Sequence, residues 1–384
     1  MIDFSLTAEQ QAVQKMAREF ARSEIAPAAA AYDRSGEYPR EIVQKAFDAG
    51  LVYATVPEEY GGGGLGALDQ LIIAEELSAG CAGISSCIAI NSLAAIPLVL
   101  FGSETQKKKY LGSACNERKL MALCVTEPGA GSDVAAMTAT ARRVNGEYVI
   151  SGQKCFITNG GVADYYIVFA TVDKSRGHKG ISAFVVPRET PGVSAGKKED
   201  KMGQRAANTT DVIFEEAVVP AANLIGEEGF GFKIIMQTFN HSRPGVAASA
   251  VGVARAAMEY ALKYSKEREQ FGLPIFMHQA VMFMLADMAK DIAAGRLLAW
   301  LAAWKGERGE NNAKEAAIAK AFCGDMVMRV TTDAAQILGG YGYIKDYPVE
   351  KLMRDAKVFQ IYEGTAQIQR LLIGRALFQE SLSG

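Results

Sequence analysis

The 384-residue sequence predicts a multidomain α+β protein. It reads as an all-α N-terminal domain over 1–120, a middle antiparallel β-barrel domain over 121–227 and a C-terminal four-helix bundle over 228–384. Three observations predict this. Apolar residues recur at helical spacing up to about residue 120. The pattern then changes to short runs rich in β-branched and aromatic residues, among them MALCVT, EYVISG, DYYIVFATV and TTDVIF. From Glu228 the helical period returns in much longer stretches with short links, as in a bundle.

In chain order, Thr7 with Glu9 and Gln10 starts an amphipathic pattern through Val13, Met16, Ala17 and Phe20. Pro39 and Glu41 open a second, through Ile42, Val43, Ala46 and Phe47, which Gly50 ends. The glycine run at 61–64 lacks the strand before it and the Lys after it that a phosphate loop needs, so it reads as a turn. Helices follow near 67–79, 83–101 and 104–111. The stretch 84–101 is the most apolar of the chain, but Ser85, Ser86, Asn91, Ser92 and Pro97 interrupt it. It predicts a buried helix, not a membrane span. In the middle domain, Asn145-Gly146 between two strand-like runs predicts a tight hairpin. Long helices are expected near 228–266, 277–306 and 313–338, and a last one from 365. Gly272-Leu273-Pro274 and residues 307–312 separate them.

Composition narrows the function. The hydrophobic fraction is 49% and the charged fraction 22%, those of a folded globular protein with an ample core. A net charge of −2 gives no basic surplus for nucleic acid. Six cysteines without a CxxC pair and only three histidines argue against a metal site, and the thiols are expected reduced and buried. The N-terminus MIDFSLTAEQ has neither the basic start and apolar core of a signal peptide nor an Arg-rich transit pattern. The expected location is the bacterial cytoplasm, ahead of a mitochondrial matrix.

Chemistry is expected where chemically capable residues meet permissive backbone. In IYEGTAQIQR, Glu363 stands between Tyr362 and Gly364, and Thr365 caps a helical pattern carrying Ile368, Leu371 and Leu372. A carboxylate at such a junction is aimed by the loop and held by the helix. In CVTEPGAGSD, glycines let backbone approach a ligand, and Thr126 and Ser132 supply hydroxyls. In GQKCFITNGG, two-residue spacing puts Phe156 and Thr158 on one strand face. An aromatic beside a hydroxyl suits a flat heteroaromatic ring with polar edges. Asn240 and Arg243 in FNHSRPGVAASAVG are three apart, hence on one helical side. No GxGxxG fingerprint is present.

Together these segments, with EREQFG at 267–272 and DAAQILGGYGYIKDYPVEKLMRD at 333–355, resemble the acyl-CoA dehydrogenase family, most of all its medium- and short-chain members, over essentially the whole chain. The resemblance implies the fold of that family. It also implies an FAD-dependent oxidoreductase of fatty acid β-oxidation, which converts an acyl-CoA to the trans-2-enoyl-CoA and passes electrons to an electron-transfer flavoprotein. It makes Glu363 the catalytic base and places Leu123, Val125, Thr126, Gly131, Ser132, Phe156, Ile157, Thr158, Thr365 and Gln367 on FAD. Arg268, Gln270, Phe271, His278, Gln279, Gln336, Gly339 and Gly340 would reach the FAD of a neighbouring subunit in a homotetramer. Ser132, Asn240, Arg243, Tyr362, Gly364 and Arg375 would contact the acyl-CoA. Two departures matter. Phe156 stands where many relatives have Trp. Ser85 and Ala89 match places that are Gln and Glu at the floor of the medium-chain pocket, which leaves a branched or cyclic acyl group open. An acyl-CoA oxidase and a family-derived assembly protein are the other readings. Ser242 stands where some relatives carry the base, so that role falls to Glu363.

Overall fold

The computed structural model describes residues 4–383. The first three residues and the last, at the outer ends of the first and third expected domains, lie outside it. Helix α1 (Ala8–Phe20) starts as expected, with Thr7 and Gln10 forming a reciprocal capping box. Then come α2 (Ala29–Ser35), α3 (Arg40–Asp48), α4 (Ala67–Gly80), α5 (Ala82–Phe101), and two short turns of helix, α6 (Glu104–Gln106) and α7 (Gly112–Asn116). α5 is long and apolar enough, by length and composition, to cross a membrane. Ile84, Cys87, Ile88, Ala94, Ala95 and Leu98 nevertheless pack into the protein core.

Eight strands follow: β1 (Met121–Cys124), β2 (Thr140–Val144), β3 (Glu147–Thr158), β4 (Tyr165–Thr171), β5 (Ile181–Pro187), β6 (Val193–Lys198), β7 (Thr209–Pro220) and β8 (Leu224–Ile225). They form one sheet with the path β6-β7-β3-β2-β4-β5-β8, and β1 pairs with β4 off that path. Most pairs are antiparallel, and Asn145 and Gly146 both take positive φ in the β2–β3 hairpin. The sheet is nonetheless mixed, because β1 runs parallel to β4, and β2 meets β4 in parallel at Thr140↔Thr171. Side-chain alternation is the same for either direction, so sequence pattern could not separate them. The sheet wraps as a barrel does, since Tyr166, Val168 and Ala170 of β4 pack with Tyr148 and Ile150 of β3 and Phe214 of β7. The strand path ends at β6 and β8 and does not close. Ile167 and Phe169, on the other face of β4, pack with the N-terminal helices. β4 is therefore buried on both faces, which explains why YYIVFAT is an unbroken apolar run.

The chain then returns to helix: α8 (Gly231–Glu267), α9 (Gln279–Glu307), α10 (Ala313–Leu338), α11 (Val349–Ala356) and α12 (Ala366–Ser383). A two-residue ribbon, β9 (Glu269–Gln270) with β10 (Leu273–Pro274), links α8 to α9. α10 buries Ala316, Ala319, Cys323, Met326, Val327, Val330 and Ala334, a stripe of helical period against α8 and α9. α8 crosses α4 where a Cβ at Gly252 would come 2.1 Å from Glu75 O, so the helices approach backbone to backbone. This contact joins the C-terminal bundle to the N-terminal helices and shapes the cavity between them and the sheet.

Candidate active site

A cavity of about 1250 Å³ lies among the three parts of the chain. Leu123, Val125, Thr126, Gly131, Ser132, Phe156, Ile157 and Thr158 line it from the sheet, and Arg243, Tyr362, Glu363, Gly364, Thr365 and Arg375 from the bundle. Ser85, Ala89, Ile90 and Leu93 line it from α5, and Leu71 and Ala74 from α4.

The sheet side is built by local irregularity. β3 loses register with β7 between Lys154 and Ile157, and Phe156 has φ +57°. The bulge replaces the plain two-residue alternation expected there and leaves the Phe156 ring exposed while Ile157 is buried. A buried ion pair ties this strand to the TEPGAGSD loop. Lys154 Nζ donates to Glu127 Oε1 at 2.8 Å and to Val125 O at 3.1 Å. Glu127 also accepts from Thr138 N, Thr138 Oγ1 and Ala139 N. Burial would raise the Glu127 carboxyl, but Lys154 and these donors outweigh it and hold it below the usual range. An exposed aromatic face and two threonines in one rigid wall fit a flat heteroaromatic ring, which is the test FAD has to pass here.

The bundle side presents Glu363. It has φ +52° and is followed by Gly364 at φ +93°, two consecutive left-handed residues. Such a conformation in a non-glycine residue costs on the order of 1–3 kcal/mol and persists only where its surroundings hold it. Gly364 is favoured because its φ of +93° strains any residue with a Cβ, and a Cβ there would also lie 2.5 Å from Gln369 Nε2. Arg243 Nε (3.3 Å) and Gln369 Nε2 (3.2 Å) donate to Glu363 O, and Lys320 Nζ (2.5 Å) and Gln369 Nε2 (3.1 Å) donate to Gly364 O. Thr365 Oγ1 accepts from Ile368 N at 3.2 Å and caps α12, as expected. Among the described residues the Glu363 N–H has no hydrogen-bond partner. Ser242 donates its hydroxyl to Glu363 Oε2. Burial pushes the Glu363 carboxyl up, against that bond and the charges of Arg243 and Lys320. Arg243 Nη1 reaches Asn240 Oδ1 at 3.3 Å, which confirms their common helical side. Pro244 removes the donor that would have met Asn240 O, and Asn312 Nδ2 supplies one at 3.3 Å.

The remaining expected residues stand elsewhere. Arg268, Gln270, Gly339 and Gly340 line a separate cavity of about 420 Å³. Phe271 is 95% exposed. Its ring meets that of His278 edge-on, and a ring nitrogen of His278 lies 3.1 Å from Gln270 O. Gln279 begins α9 and Gln336 lies in the last turn of α10, both exposed. One chain does not bring this group to the first cavity. Gln367, in the first turn of α12, is exposed and does not line that cavity either. Lys320, Gln369, Lys154 and Glu127 were missed in the sequence. A lone Lys in the buried, alanine-rich stripe of α10 was the signal available for Lys320.

The chain is similar to known proteins over its whole length. Family descriptions for the N-terminal, middle and C-terminal domains of acyl-CoA dehydrogenase match residues 7–118, 122–217 and 229–378. The chain is 47% identical over 373 residues to an acyl-CoA dehydrogenase of Bacillus subtilis, covering 97% of this chain and 98% of that one. It is 45% identical over 383 residues to a short-chain specific acyl-CoA dehydrogenase of Megasphaera elsdenii, covering 98% and 100%. It superposes with a TM-score of 0.96, at 47% identity and covering 98% and 99%, on a chain from a structure of the electron transferring flavoprotein of Acidaminococcus fermentans. The chain belongs to the acyl-CoA dehydrogenase family, whose members are FAD-dependent oxidoreductases.

Proposed function

We propose that this protein dehydrogenates a short-chain acyl-CoA thioester between its α and β carbons, with Glu363 as the base. The observation that carries this is one cavity lined by Thr126, Phe156 and Thr158 from the sheet and by Glu363 from the bundle. FAD would be held by Leu123, Val125, Thr126, Gly131, Ser132, Phe156, Ile157, Thr158 and Thr365, and would supply the acceptor for the β-hydride. Glu363 takes the α-proton onto its carboxylate. Burial makes that carboxylate a stronger base than one in water. The Glu363 N–H, without a partner among the described residues, would donate to the thioester oxygen, where charge develops as the α-carbon gives up its proton. Arg243, with Ser132, Tyr362, Gly364 and Arg375, holds the CoA-bearing end, Asn240 supports Arg243 from outside the cavity lining, and the apolar residues of α4 and α5 take the acyl chain. Arg268, Gln270, Phe271, His278, Gln279, Gln336, Gly339 and Gly340 serve the FAD of a neighbouring subunit in a homotetramer. The domains run 1–120, 121–227 and 228–384.

Electrons pass to an electron-transfer flavoprotein, in keeping with the Acidaminococcus likeness. The bacterial relatives support a cytoplasmic site of action. Ser85 and Ala89 are small, and this favours a second reading of the substrate, a branched acyl group. The test is anaerobic mixing of purified holoprotein with butyryl-CoA and with branched acyl-CoAs, read by bleaching of the visible flavin band. Glu363→Gln should keep the flavin and slow bleaching about 10²–10⁴-fold. Bleaching at the wild-type rate in that variant rejects Glu363 as the base.

A further inference from the structure

Lys320 sits in the N-terminal third of α10, almost fully buried, among the buried Ala316, Ala317, Ala319 and Cys323. A buried ammonium is costly unless something holds it. Here its bond is to Gly364 O, 44 residues further along the chain, in the turn that carries Glu363. No carboxylate forms an ion pair with Lys320 among the described residues; Glu363 and Asp325 act on it only at longer range. Gln369, fully buried as well, bonds both Glu363 O and Gly364 O. Two left-handed residues in a row are thus fixed by their carbonyls, and this fixes where the Glu363 side chain and N–H stand.

We propose that Lys320 is a positioning residue for Glu363: bonded to Gly364 O, it holds the Glu363–Gly364 turn in its left-handed form and, while protonated, adds a positive charge that acts on the carboxylate at longer range. The inference rests on Glu363 being the base. The charge acts on the base in a definite direction. Burial raises the Glu363 carboxyl, and Lys320, with Ser242 and Arg243, counters that rise. Burial also brings Lys320 down to about 8. The groups that face this pair are Ser242 and Arg243 from α8, Asp325 from α10, and Tyr362 beside Glu363 itself. His241 and Arg375 line the same cavity. Of these, Arg243 and Lys320 are the two cations that act on Glu363.

Two variants separate the bond from the charge. Lys320→Gln keeps an N–H for Gly364 O and removes the charge. Lys320→Met removes both at similar length. Three readouts follow in FAD-loaded protein: the pH profile of flavin bleaching by acyl-CoA, the separate kcat and KM values, and an infrared titration of the carboxylic acid band that Glu363→Gln abolishes. Lys320→Gln should move the acid limb and the infrared midpoint to higher pH by about one unit, a tenfold rate loss at pH well below the limb. It should leave the plateau kcat within about threefold of wild type. Lys320→Met should show the same shift and a plateau kcat at least about tenfold lower, with KM and flavin content near wild type. If both variants keep the wild-type limb, infrared midpoint and plateau, the proposal is wrong. If kcat falls only in step with flavin loss or unfolding while the infrared midpoint stays put, Lys320 is merely structural and the proposal is again wrong. Glu363→Gln run alongside tells the two levels apart. If that variant is active, the base assignment fails. If it is inactive while both Lys320 variants match wild type, only the role of Lys320 fails.

Discussion

Replacing Lys154 by Met removes one half of a buried ion pair and leaves the other in place. Lys154 and Glu127 are both buried, and the ammonium also serves Val125 O. Removing one partner of such a pair typically costs about 3–5 kcal/mol, because the remaining charge loses its compensation. Glu127 retains its bonds to Thr138 and Ala139, which puts the expectation near the lower figure. With roughly 2 cal/mol/K of unfolding entropy per residue, a loss of about 3 kcal/mol lowers Tm by about 15 °C if a domain of about 100 residues melts by itself. It lowers Tm by about 4 °C if all three parts melt together. The assay is calorimetry of holoprotein and apoprotein, with flavin retained after dialysis measured in parallel. Since the pair ties the TEPGAGSD loop to the strand bearing Phe156, flavin retention should fall with it. The charge also sets a pH dependence. Glu127 is held below its unfolded value of 4.5, so its contribution is complete above that pH and disappears as pH falls through the folded value. Glu127→Gln should therefore flatten the acid side of the Tm profile. A change in Tm below about 1 °C with full flavin retention in Lys154→Met would refute the reasoning.

Two other outcomes follow from the same structure. Glu363 is raised above 4.5 in the folded protein, so the stability linked to it is present below that pH and lost as pH rises through the folded value; Glu363→Gln should melt higher than wild type at neutral pH and converge with it near pH 4.5, as differential scanning fluorimetry across pH would read, and equal melting at all pH values counts against a desolvated carboxylate. Gly252→Ala should destabilise by several kcal/mol, since its Cβ would sit 2.1 Å from Glu75 O and neither helix backbone can yield cheaply; a Tm within about 1 °C of wild type would show that α4 and α8 can separate at no cost.

The sequence by itself determined the α, β, α order, the capped start of α1, the hairpin at Asn145-Gly146 and the buried character of α5, because periodicity, caps and turn residues act over a few positions. It also marked Thr126, Phe156, Thr158 and Glu363 as one constellation through family resemblance, and the fold brings these four to a single cavity. Only the tertiary structure decided that β1 joins β4 in parallel, since alternation carries no direction. Only it showed Lys320 and Gln369 gripping the turn at Glu363, and Lys154 paired with Glu127 beneath the sheet wall. Those contacts join residues far apart along the chain, and whether a charge is costly or useful depends on what burial places beside it. No local pattern of residues carries that information.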